Sequence, residues 1–313
     1  MLKIAFHPVY KYALPKGHRF PMEKYELLPQ QLIYEGTCTE ENFFEPGLPS
    51  EEDILSVHTK EYFESLMNLT LDRKAARKIG FPLSKALIER ELRIAQGTIE
   101  GCEYALKNGI AMNIAGGTHH AYSDSGEGFC MLNDQAIAAR YLLKKYGEIQ
   151  QIPSHSRNWN IKRILIVDLD VHQGNGTAKI FENDDSVFTF SMHGAGNYPF
   201  KKEESDMDIA VPDGSGDEIY LKKLKETLPR LIKEQNPDFI FYLSGVDILE
   251  TDKLGRLNCT VEGCKERDRF VLQTCKDLNI PVQVSMGGGY SPEIKTIIEA
   301  HANTFRVAQE IFF

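Results

Sequence analysis

The sequence predicts an α/β protein built on a parallel sheet that helices cover on both faces. Short apolar runs alternate along the chain with longer amphipathic segments. The apolar runs are continuous, as is typical of strands buried on both faces of a parallel sheet. A chain of 313 residues with 42% hydrophobic residues can bury one large core of this kind.

Six short apolar runs are predicted to be strands. In chain order they are Lys3–Phe6, Ile110–Ile114, Arg163–Val167, Val187–Ser191, Phe239–Leu243 and Pro281–Met286. Six longer amphipathic segments are predicted to be helices. They are Pro21–Glu35, Lys85–Lys107, Asn133–Tyr146, Asp217–Glu234, Glu262–Leu278 and Pro292–Ile311.

One polar segment lies between a predicted helix and a predicted strand. Residues 147–162, GEIQQIPSHSRNWNIK, are rich in polar and turn-forming residues. This composition predicts a surface loop insertion rather than a linker between domains. Because the chain has no internal repeat and no low-complexity tract, residues 1–313 are predicted to form a single domain.

Composition and charge exclude several classes of protein. A net charge of −9 and a pI of about 5.6 argue against direct nucleic-acid binding, which requires a basic surface. The six cysteines form no C-x-x-C pair, which favours reduced thiols and a cytoplasmic protein. No apolar run approaches the roughly 18 residues of a membrane span, and the N-terminus lacks the apolar length of a signal peptide.

Polar motifs follow four of the predicted strands. They are AGGTHHAYSDSGEGFC after Ile114, DLDVHQGNG after Val167, SGVDILETDKLG after Leu243 and GGGYSPE after Met286. In a parallel sheet the carboxyl ends of the strands lie at one edge, where ligands bind. We therefore expect the four motifs to meet in one site.

Two of these motifs carry a set of residues suited to a metal. Asp170 and His172 are two residues apart, and Asp247 follows a different strand. Two carboxylates and one imidazole with an open position suit a catalytic zinc or another divalent first-row ion. A single aspartate at a strand end is more often a helix N-cap, but three such residues beside a histidine pair favour a metal. Gly174 and Leu249 stand where a second metal would need carboxylates, so one metal is expected.

The histidine pair and a nearby aspartate suggest proton transfer. His119 and His120 follow Gly116 and Gly117, and a turn there would aim both rings into one pocket. One ring could take a proton from water and later protonate the leaving amine. Asp168 is expected behind an active-site histidine, where a carboxylate favours the charged form of the ring.

Two aromatic residues complete the candidate site. Tyr290 follows three glycines, and its phenol could donate to an oxyanion beside a metal. Phe129 follows Gly128 on the histidine loop and could line a narrow channel for an aliphatic chain. Either aromatic ring could instead serve only in core packing.

The four motifs together resemble the zinc-dependent histone deacetylase family of the arginase/deacetylase superfamily, which includes acetoin-utilisation and acetylpolyamine deacetylases. The resemblance covers nearly the whole chain. The segments GVDILETDKLG and FHPVYKYALPKGHRFPMEKY are most similar to the class IV branch and its bacterial relatives. The resemblance implies a single-domain arginase/deacetylase α/β fold with an eight-stranded parallel sheet. The single expected metal distinguishes the chain from the binuclear arginase-like hydrolases.

The resemblance also implies a role for each matching residue. Asp170, His172 and Asp247 match the zinc ligands of the family, and His119 and His120 match its catalytic pair. Tyr290 matches the transition-state tyrosine, and Asp168 and Ser191 match a structural K⁺ or Na⁺ site. The acyl-lysine channel is matched by Gly128, Phe129 and Gly288. Zinc is the expected cofactor, with ferrous iron as the alternative in the cell.

Two departures from the family pattern bear on mechanism and substrate. Asn175 stands where the class I branch has an aspartate behind the second histidine, which favours a neutral base at His120. Residues 70 to 90 contain no clear match to the acidic rim residue that grips the substrate backbone in class I enzymes.

The expected function is metal-dependent hydrolysis of an N-acylated amine, most simply an acyl-lysine. One alternative is a small-molecule deacylase of the acetylpolyamine type. Another is a long-chain fatty-acyl-lysine deacylase, because the glycines around the metal could leave room for a long chain. An inactive acyl-binding scaffold is disfavoured because all six catalytic and metal-binding residues are present. A nucleotide-binding protein is disfavoured because neither G-x-G-x-x-G nor a P-loop occurs.

Overall fold

The computed structural model describes residues 1–147 and 159–313. Within them, eight parallel strands form one sheet in the order β2-β1-β3-β8-β7-β4-β5-β6. The strands are β1 (Lys3–Ala5), β2 (Phe43–Phe44), β3 (Ile110–Asn113), β4 (Ile164–Asp168), β5 (Val187–Gly194), β6 (Met207–Val211), β7 (Phe239–Leu243) and β8 (Val282–Ser285). The predicted eight-stranded α/β fold is confirmed.

Ten α-helices surround the sheet in the described residues. They are α1 (Lys24–Tyr34), α2 (Glu51–Leu55), α3 (Lys60–Met67), α4 (Arg73–Ile79), α5 (Lys85–Asn108), α6 (Asp134–Tyr146), α7 (Asn175–Phe181), α8 (Asp217–Gln235), α9 (Val261–Asp277) and α10 (Ile294–Phe312). Every residue of β3, β4, β7 and β8 is buried, so helices cover both faces of the central sheet. No helix among the described residues is long and apolar enough to cross a membrane.

The elements that the sequence did not predict are short or lie at the sheet edges. β2 has two residues, and β6 alternates between half-buried and exposed positions. Both are edge strands, which present no long apolar run. The unpredicted helices α2, α3, α4 and α7 have five to eight residues, too few for a clear helical period.

The register of the central strands brings their carboxyl ends together. Asn113 at the end of β3 pairs with Ser285 at the end of β8. Leu243 at the end of β7 pairs with Ser285 and with Asp168 at the end of β4. The four polar motifs therefore leave the sheet side by side, as expected.

Most of the predicted loop insertion lies outside the described residues, namely residues 148–158. Its flanks are ordered parts of the fold. The backbone N–H of Ile161 donates to the carbonyl of Tyr146 at 2.8 Å, and the Ile161 side chain is fully buried. The chain after residue 158 is thereby joined to the end of α6 before β4 begins.

Candidate active site

The loops after β4 and β7 bring two carboxylates and one imidazole into a tight buried group. Atoms of Asp170, His172 and Asp247 that can bind a metal lie within 4.8 Å of one another. His172 Nδ1 is 3.0 Å from Asp170 Oδ1 and 3.2 Å from Asp247 Oδ2. Backbone N–H groups position both carboxylates, because Gly288 N donates to Asp170 and Val171 N donates to Asp247.

This group fits a divalent cation. The side chain of Asp247 is fully buried, and its Oδ2 receives no hydrogen bond from the described residues despite its closeness to His172. A buried carboxylate oxygen without a hydrogen bond is costly unless a cation compensates it. The donor set of two carboxylates and one imidazole also suits zinc or ferrous iron. The group therefore has the ligand types of a metal site and a buried carboxylate oxygen that a bound cation would stabilise.

His119 is paired with the predicted carboxylate. Its Nδ1 donates to Asp168 Oδ2 at 2.6 Å, while Asp168 Oδ1 accepts from Asp170 N. Burial lowers the pKa of His119, but the charges of Asp168 and Asp170 outweigh burial, so the pKa lies above its usual 6.5. The direction of this shift favours the charged form of the ring.

His120 has a neutral partner. Its Nδ1 lies 2.6 Å from Asn175 Oδ1. The amide nitrogen of Asn175 donates to Glu127 Oε1 at 2.7 Å and to the Tyr122 hydroxyl at 2.8 Å, which fixes the amide oxygen toward His120. The His120 ring must then carry its proton on Nδ1 and leave Nε2 free to accept one.

The electrostatic surroundings of His120 favour this neutral form. Burial, followed by the charges of His119 and His172, lowers the pKa of His120 well below 6.5. The hydrogen bond to Asn175 acts in the opposite direction but is outweighed. The two adjacent imidazoles, whose centroids are 4.1 Å apart, thus have opposite protonation preferences.

A glycine turn aims both histidines into the pocket. Gly116 and Gly117 have φ values of +83° and +75°, which residues with a Cβ adopt only at a cost. The turn is held by Asp134, which accepts hydrogen bonds from the backbone N–H and hydroxyl of Thr118 at 2.9 and 2.7 Å. The sequence interpretation of a turn before the histidine pair is therefore confirmed.

Tyr290 packs over the same pocket. Its ring centroid is 6.4 Å from that of His172 and 6.0 Å from that of Phe129. Burial, followed by the charges of Asp170 and Asp247, raises the pKa of the Tyr290 phenol well above 10. The phenol therefore keeps its proton and can act as a hydrogen-bond donor.

Phe129 and Gly128 line the pocket that His120 and His172 also line. Phe129 has φ of +70°, an uncommon conformation for a bulky residue that often marks a functional site. It is held by a 2.7 Å hydrogen bond from its N–H to the carbonyl of Ile79. A Cβ at Gly128 would lie 2.7 Å from His120 Cδ2, so glycine is needed for the wall to approach the histidine.

The glycines near the metal-binding group do not leave open space. A Cβ at Gly117 would lie 2.9 Å from Leu243 Cγ, and one at Gly287 would lie 2.5 Å from Leu243 Cδ2. A Cβ at Gly288 would overlap Asp247 Oδ2. At these glycines the space that a side chain would occupy is filled by neighbouring protein atoms. This favours the role of the glycines in close packing, and the room for a long acyl chain stays a prediction.

The predicted monovalent-cation residues are neighbours in the sheet. Asp168 and Ser191 pair in register on β4 and β5, and both are buried. The Ser191 hydroxyl lies 3.0 Å from His193 Nδ1. The two predicted residues are therefore adjacent, although each also has a protein hydrogen-bond partner.

Sequence reasoning missed two charged residues that support Tyr290. Asp252 accepts a 2.6 Å hydrogen bond from Tyr290 N and also binds the backbone of Leu254 and Gly255. Lys24 is fully buried, donates to the carbonyl of Gly287 at 3.1 Å and lies 5.9 Å from the centroid of the Tyr290 ring. Both residues lie within segments quoted for the family resemblance, but neither was singled out, because no local pattern places Lys24 or Asp252 beside Tyr290.

The fold and the buried Asp-His-Asp group define an α/β protein with a candidate single-metal centre at the carboxyl edge of its sheet. Residues 18–305 match the family model described as the histone deacetylase domain. Because this match covers most of the 313 residues, the chain belongs to the histone deacetylase family. It is accordingly an amide-hydrolysing deacetylase.

Relatives of several kinds are similar over nearly the full chain. An uncharacterized protein of Picosynechococcus is 41% identical over 99% of both chains. A probable deacetylase of Archaeoglobus fulgidus is 32% identical over 93% of this chain and 81% of its own. Histone deacetylase 2 of Arabidopsis thaliana is 29% identical over 91% of this chain and 73% of its own.

Solved structures share the same fold. The crystal structure of a histone deacetylase homologue from Aquifex aeolicus has a TM-score of 0.81 and 25% identity, covering 98% of this chain and 84% of its own. The crystal structure of a histone deacetylase homologue complexed with SAHA has a TM-score of 0.82 and 25% identity, and the match covers 99% of this chain and 84% of that one. The fold of the described residues is therefore that of these histone deacetylase homologues.

Proposed function

We propose that the chain hydrolyses the amide bond between a short acyl group and the side-chain nitrogen of a lysine. One arrangement carries this proposal: two adjacent histidines with opposite protonation preferences share a pocket with Tyr290 and the Asp-His-Asp group. A base, an acid and an oxyanion donor around one carbonyl position are the elements of acyl transfer to water.

One metal, with zinc favoured over ferrous iron, would be held by Asp170, His172 and Asp247. When bound, it would polarise the acyl carbonyl as a Lewis acid. His120 takes a proton from the attacking water through its free Nε2. The water oxygen forms a bond to the carbonyl carbon, and the phenol of Tyr290 donates to the oxyanion. His120 then returns the proton to the amine nitrogen as the C–N bond breaks, leaving a carboxylic acid and an amine.

His119 and Asp168 have a supporting role in this proposal. The His119 ring, whose pKa is raised, lies beside His120, and after burial its charge is the largest cause that lowers the pKa of His120. It also adds positive charge near the developing oxyanion. Asp168 orients His119 through its hydrogen bond, and a structural K⁺ or Na⁺ beside Asp168 and Ser191 would fix the position of this carboxylate.

The size of the pocket favours a short acyl group. The cavity among the catalytic residues is only about 40 Å³. Phe20 and Phe129 close it from one side, with ring centroids 5.1 Å apart, and the glycine turns close it from the other. Lys24 occupies the space beside the Gly287 carbonyl. An acetyl group suits this space better than a long fatty chain.

The charge at the mouth of the pocket favours a peptide over a polyamine. Arg19 is exposed and lies over the Phe129 ring, and Arg77 is exposed in the last turn of α4. Neither has an ion pair among the described residues, so these cations would repel the remaining ammonium groups of an acetylated polyamine. We therefore place acetylpolyamines second as substrates.

Three further assignments belong to this proposal. The class IV branch is supported by GVDILETDKLG and by the segment around Lys24. A reducing, cytoplasmic setting is supported by six cysteines that are all buried and form no disulfide. The six-residue set of metal-binding and catalytic side chains favours an enzyme over an acyl-binding scaffold.

The proposal is tested with zinc-loaded protein and matched peptides that carry acetyl-, octanoyl- or myristoyl-lysine. We expect kcat/KM to fall as the acyl chain lengthens, and acetylspermidine to be a poorer substrate than the acetyl peptide. Efficient release of myristate would instead support the long-chain alternative. Turnover of acetylspermidine alone would support the small-molecule alternative.

A further inference from the structure

One side of the pocket mouth carries concentrated positive charge on a chain whose net charge is −9. Four of the seven residues of α4 are basic. The last turn of α4 is joined to the channel loop, because the carbonyls of Lys78 and Ile79 accept hydrogen bonds from the N–H groups of Gly128 and Phe129 at 3.0 and 2.7 Å. The basic helix therefore borders the entrance.

Arg19 lies closest to the channel wall. Its guanidinium carbon is 5.0 Å from the centroid of the Phe129 ring, a cation–π distance. The side chain is exposed, and no hydrogen bond or ion pair of Arg19 occurs within residues 1–147 and 159–313. The adjacent His18 anchors this segment through Nε2, 2.9 Å from the carbonyl of Gly80. The donors of Arg19 are therefore held at the mouth without a carboxylate partner in the described protein.

Nearby acidic groups pair with Lys78 and cap the start of α4, but they leave Arg19 and Arg77 without an ion pair among the described residues. Glu127 pairs with Lys78 but is buried and shared with Tyr198 and Asn175. Asp72 accepts hydrogen bonds from the backbone at the start of α4, at the end of the helix away from Phe129. Arg77 is exposed and has no ion pair among the residues that the structure describes.

We propose that Arg19 and the exposed basic residues of α4, together called the basic rim, select acyl-lysines that have a glutamate or aspartate next to them in the peptide. This inference rests on the proposed acyl-lysine hydrolysis and names the sequence context of the substrate. The lysine stem fills the channel beside Phe129, so neighbouring peptide side chains lie at the mouth within reach of Arg19. A carboxylate there would form the two-pronged hydrogen-bonded pair that guanidinium groups favour.

The test compares three acetyl-lysine peptides that differ at the two residues flanking the lysine: glutamate, glutamine or lysine. With zinc-loaded enzyme at low ionic strength, kcat/KM should be about two- to fivefold higher for the glutamate peptide than for the glutamine peptide, as expected for exposed ion pairs. The lysine peptide should be the poorest. The preference should shrink in about 0.5 M salt because mobile ions screen the rim.

The decisive variant is Arg19→Gln, and the matched control is Arg230→Gln. Arg230 lies near the C-terminal end of α8, which leads into the amino end of β7 at the opposite edge of the sheet. Arg19→Gln should reduce the ratio of kcat/KM for the glutamate peptide to kcat/KM for the glutamine peptide toward one. Arg230→Gln should preserve this ratio despite the same change in net charge. Zinc content and melting temperature should be unchanged in both variants.

Different failures have different meanings. Equal efficiencies for all three peptides, or a ratio that Arg19→Gln does not change, would overturn the rim proposal while leaving deacetylation intact. No turnover of any acetyl-lysine peptide would overturn the proposed function and this inference with it. Binding to phosphatidylserine vesicles that is lost in Arg19→Gln, without a peptide preference, would assign the cations to a membrane surface and also overturn the proposal.

Discussion

His120 and Asn175 form a 2.6 Å hydrogen bond in which the imidazole Nδ1–H donates to the amide oxygen. The orientation of the amide is fixed by its donation to Glu127 and Tyr122. Because the partner is neutral, nothing in this bond holds a second proton on the ring. The bond therefore gives His120 the tautomer and charge of a general base.

The first prediction changes the charge behind this base. Asn175→Asp should raise the pKa of His120, because a carboxylate favours the imidazolium. Below that pKa the ring is protonated and cannot accept a proton, so the acidic limb of the kcat/KM profile should move to higher pH. Activity at pH 7 should fall, while activity at pH 9 should be closer to that of the natural enzyme.

The control for this substitution concerns Glu127, which would face the new carboxylate. Asn175→Asp combined with Glu127→Gln removes that repulsion and should retain the alkaline shift. If the acidic limb of the kcat/KM profile stays at the same pH in the double variant, the pKa of His120 does not determine that limb.

The second prediction tests the oxyanion donor. Tyr290→Phe should keep the fold and the bound zinc but lower kcat by about a hundredfold or more, because the phenol donates to charge that develops only in the transition state. KM should change little. Tyr34→Phe is the matched control, since Tyr34 is 90% exposed. A Tyr290→Phe variant with a nearly normal kcat would require another oxyanion donor.

The third prediction separates the two histidines. His120→Ala should lose more kcat than His119→Ala, because His120 has the free Nε2 and the lowered pKa, whereas His119 is biased toward the charged form. Both variants should bind zinc normally. The measurement is kcat between pH 6 and 9, and a greater loss in His119→Ala across that range would reverse the assigned roles.

The fourth prediction concerns metal binding. Asp247→Ala should remove the metal and abolish activity. Gly288→Ala should weaken zinc binding without removing a ligand, because its Cβ would displace Asp247 Oδ2 and crowd Asp170 Oδ2 at 2.8 Å. Gly47→Ala is the matched control, because Gly47, like Gly288, has no positive φ value and a Cβ there would lie at an ordinary 3.7 Å from its nearest neighbour, Glu100 Oε1.

Zinc titration and elemental analysis are the readouts for these variants. The natural chain should hold one equivalent of tightly bound metal. Two equivalents of catalytic metal per chain would contradict the single-metal assignment.

The fifth prediction concerns stability and pH. Glu35 forms two hydrogen bonds with Arg306, at 2.8 and 2.6 Å, which join the end of α1 to α10. The guanidinium lowers the pKa of Glu35 to about 2 from its usual 4.5. A lowered pKa means that the pair stabilises the fold above about pH 4.5 and that this contribution is lost as the pH falls toward 2.

Glu35→Gln should therefore lower the free energy of unfolding at pH 7 by about 1 kcal/mol, since solvent screens this partly exposed pair. The difference should shrink as the pH falls below 4.5. Urea unfolding at several pH values measures it. Glu234→Gln, in an exposed pair with a 4.0 Å separation, should change stability little at any pH.

The central fold and the candidate residues were predictable because their signals are local. Continuous apolar runs mark β4 and β7, and the polar motifs follow directly at the strand ends, where a parallel sheet must bring them together. The edge strands β2 and β6 were not predictable. Their pairing partners, rather than an apolar pattern of their own, make them strands.

The sequence by itself determined which chemical groups are present and on which strand ends they lie. Only the tertiary structure decided that the glycines pack closely against Leu243 and Asp247 and that Lys24 and Asp252 lie beside Tyr290. It also placed Arg19, which has no ion pair among the described residues, over Phe129. These properties depend on distances between segments far apart in the chain, and such distances follow from the packing of the whole core rather than from any local pattern.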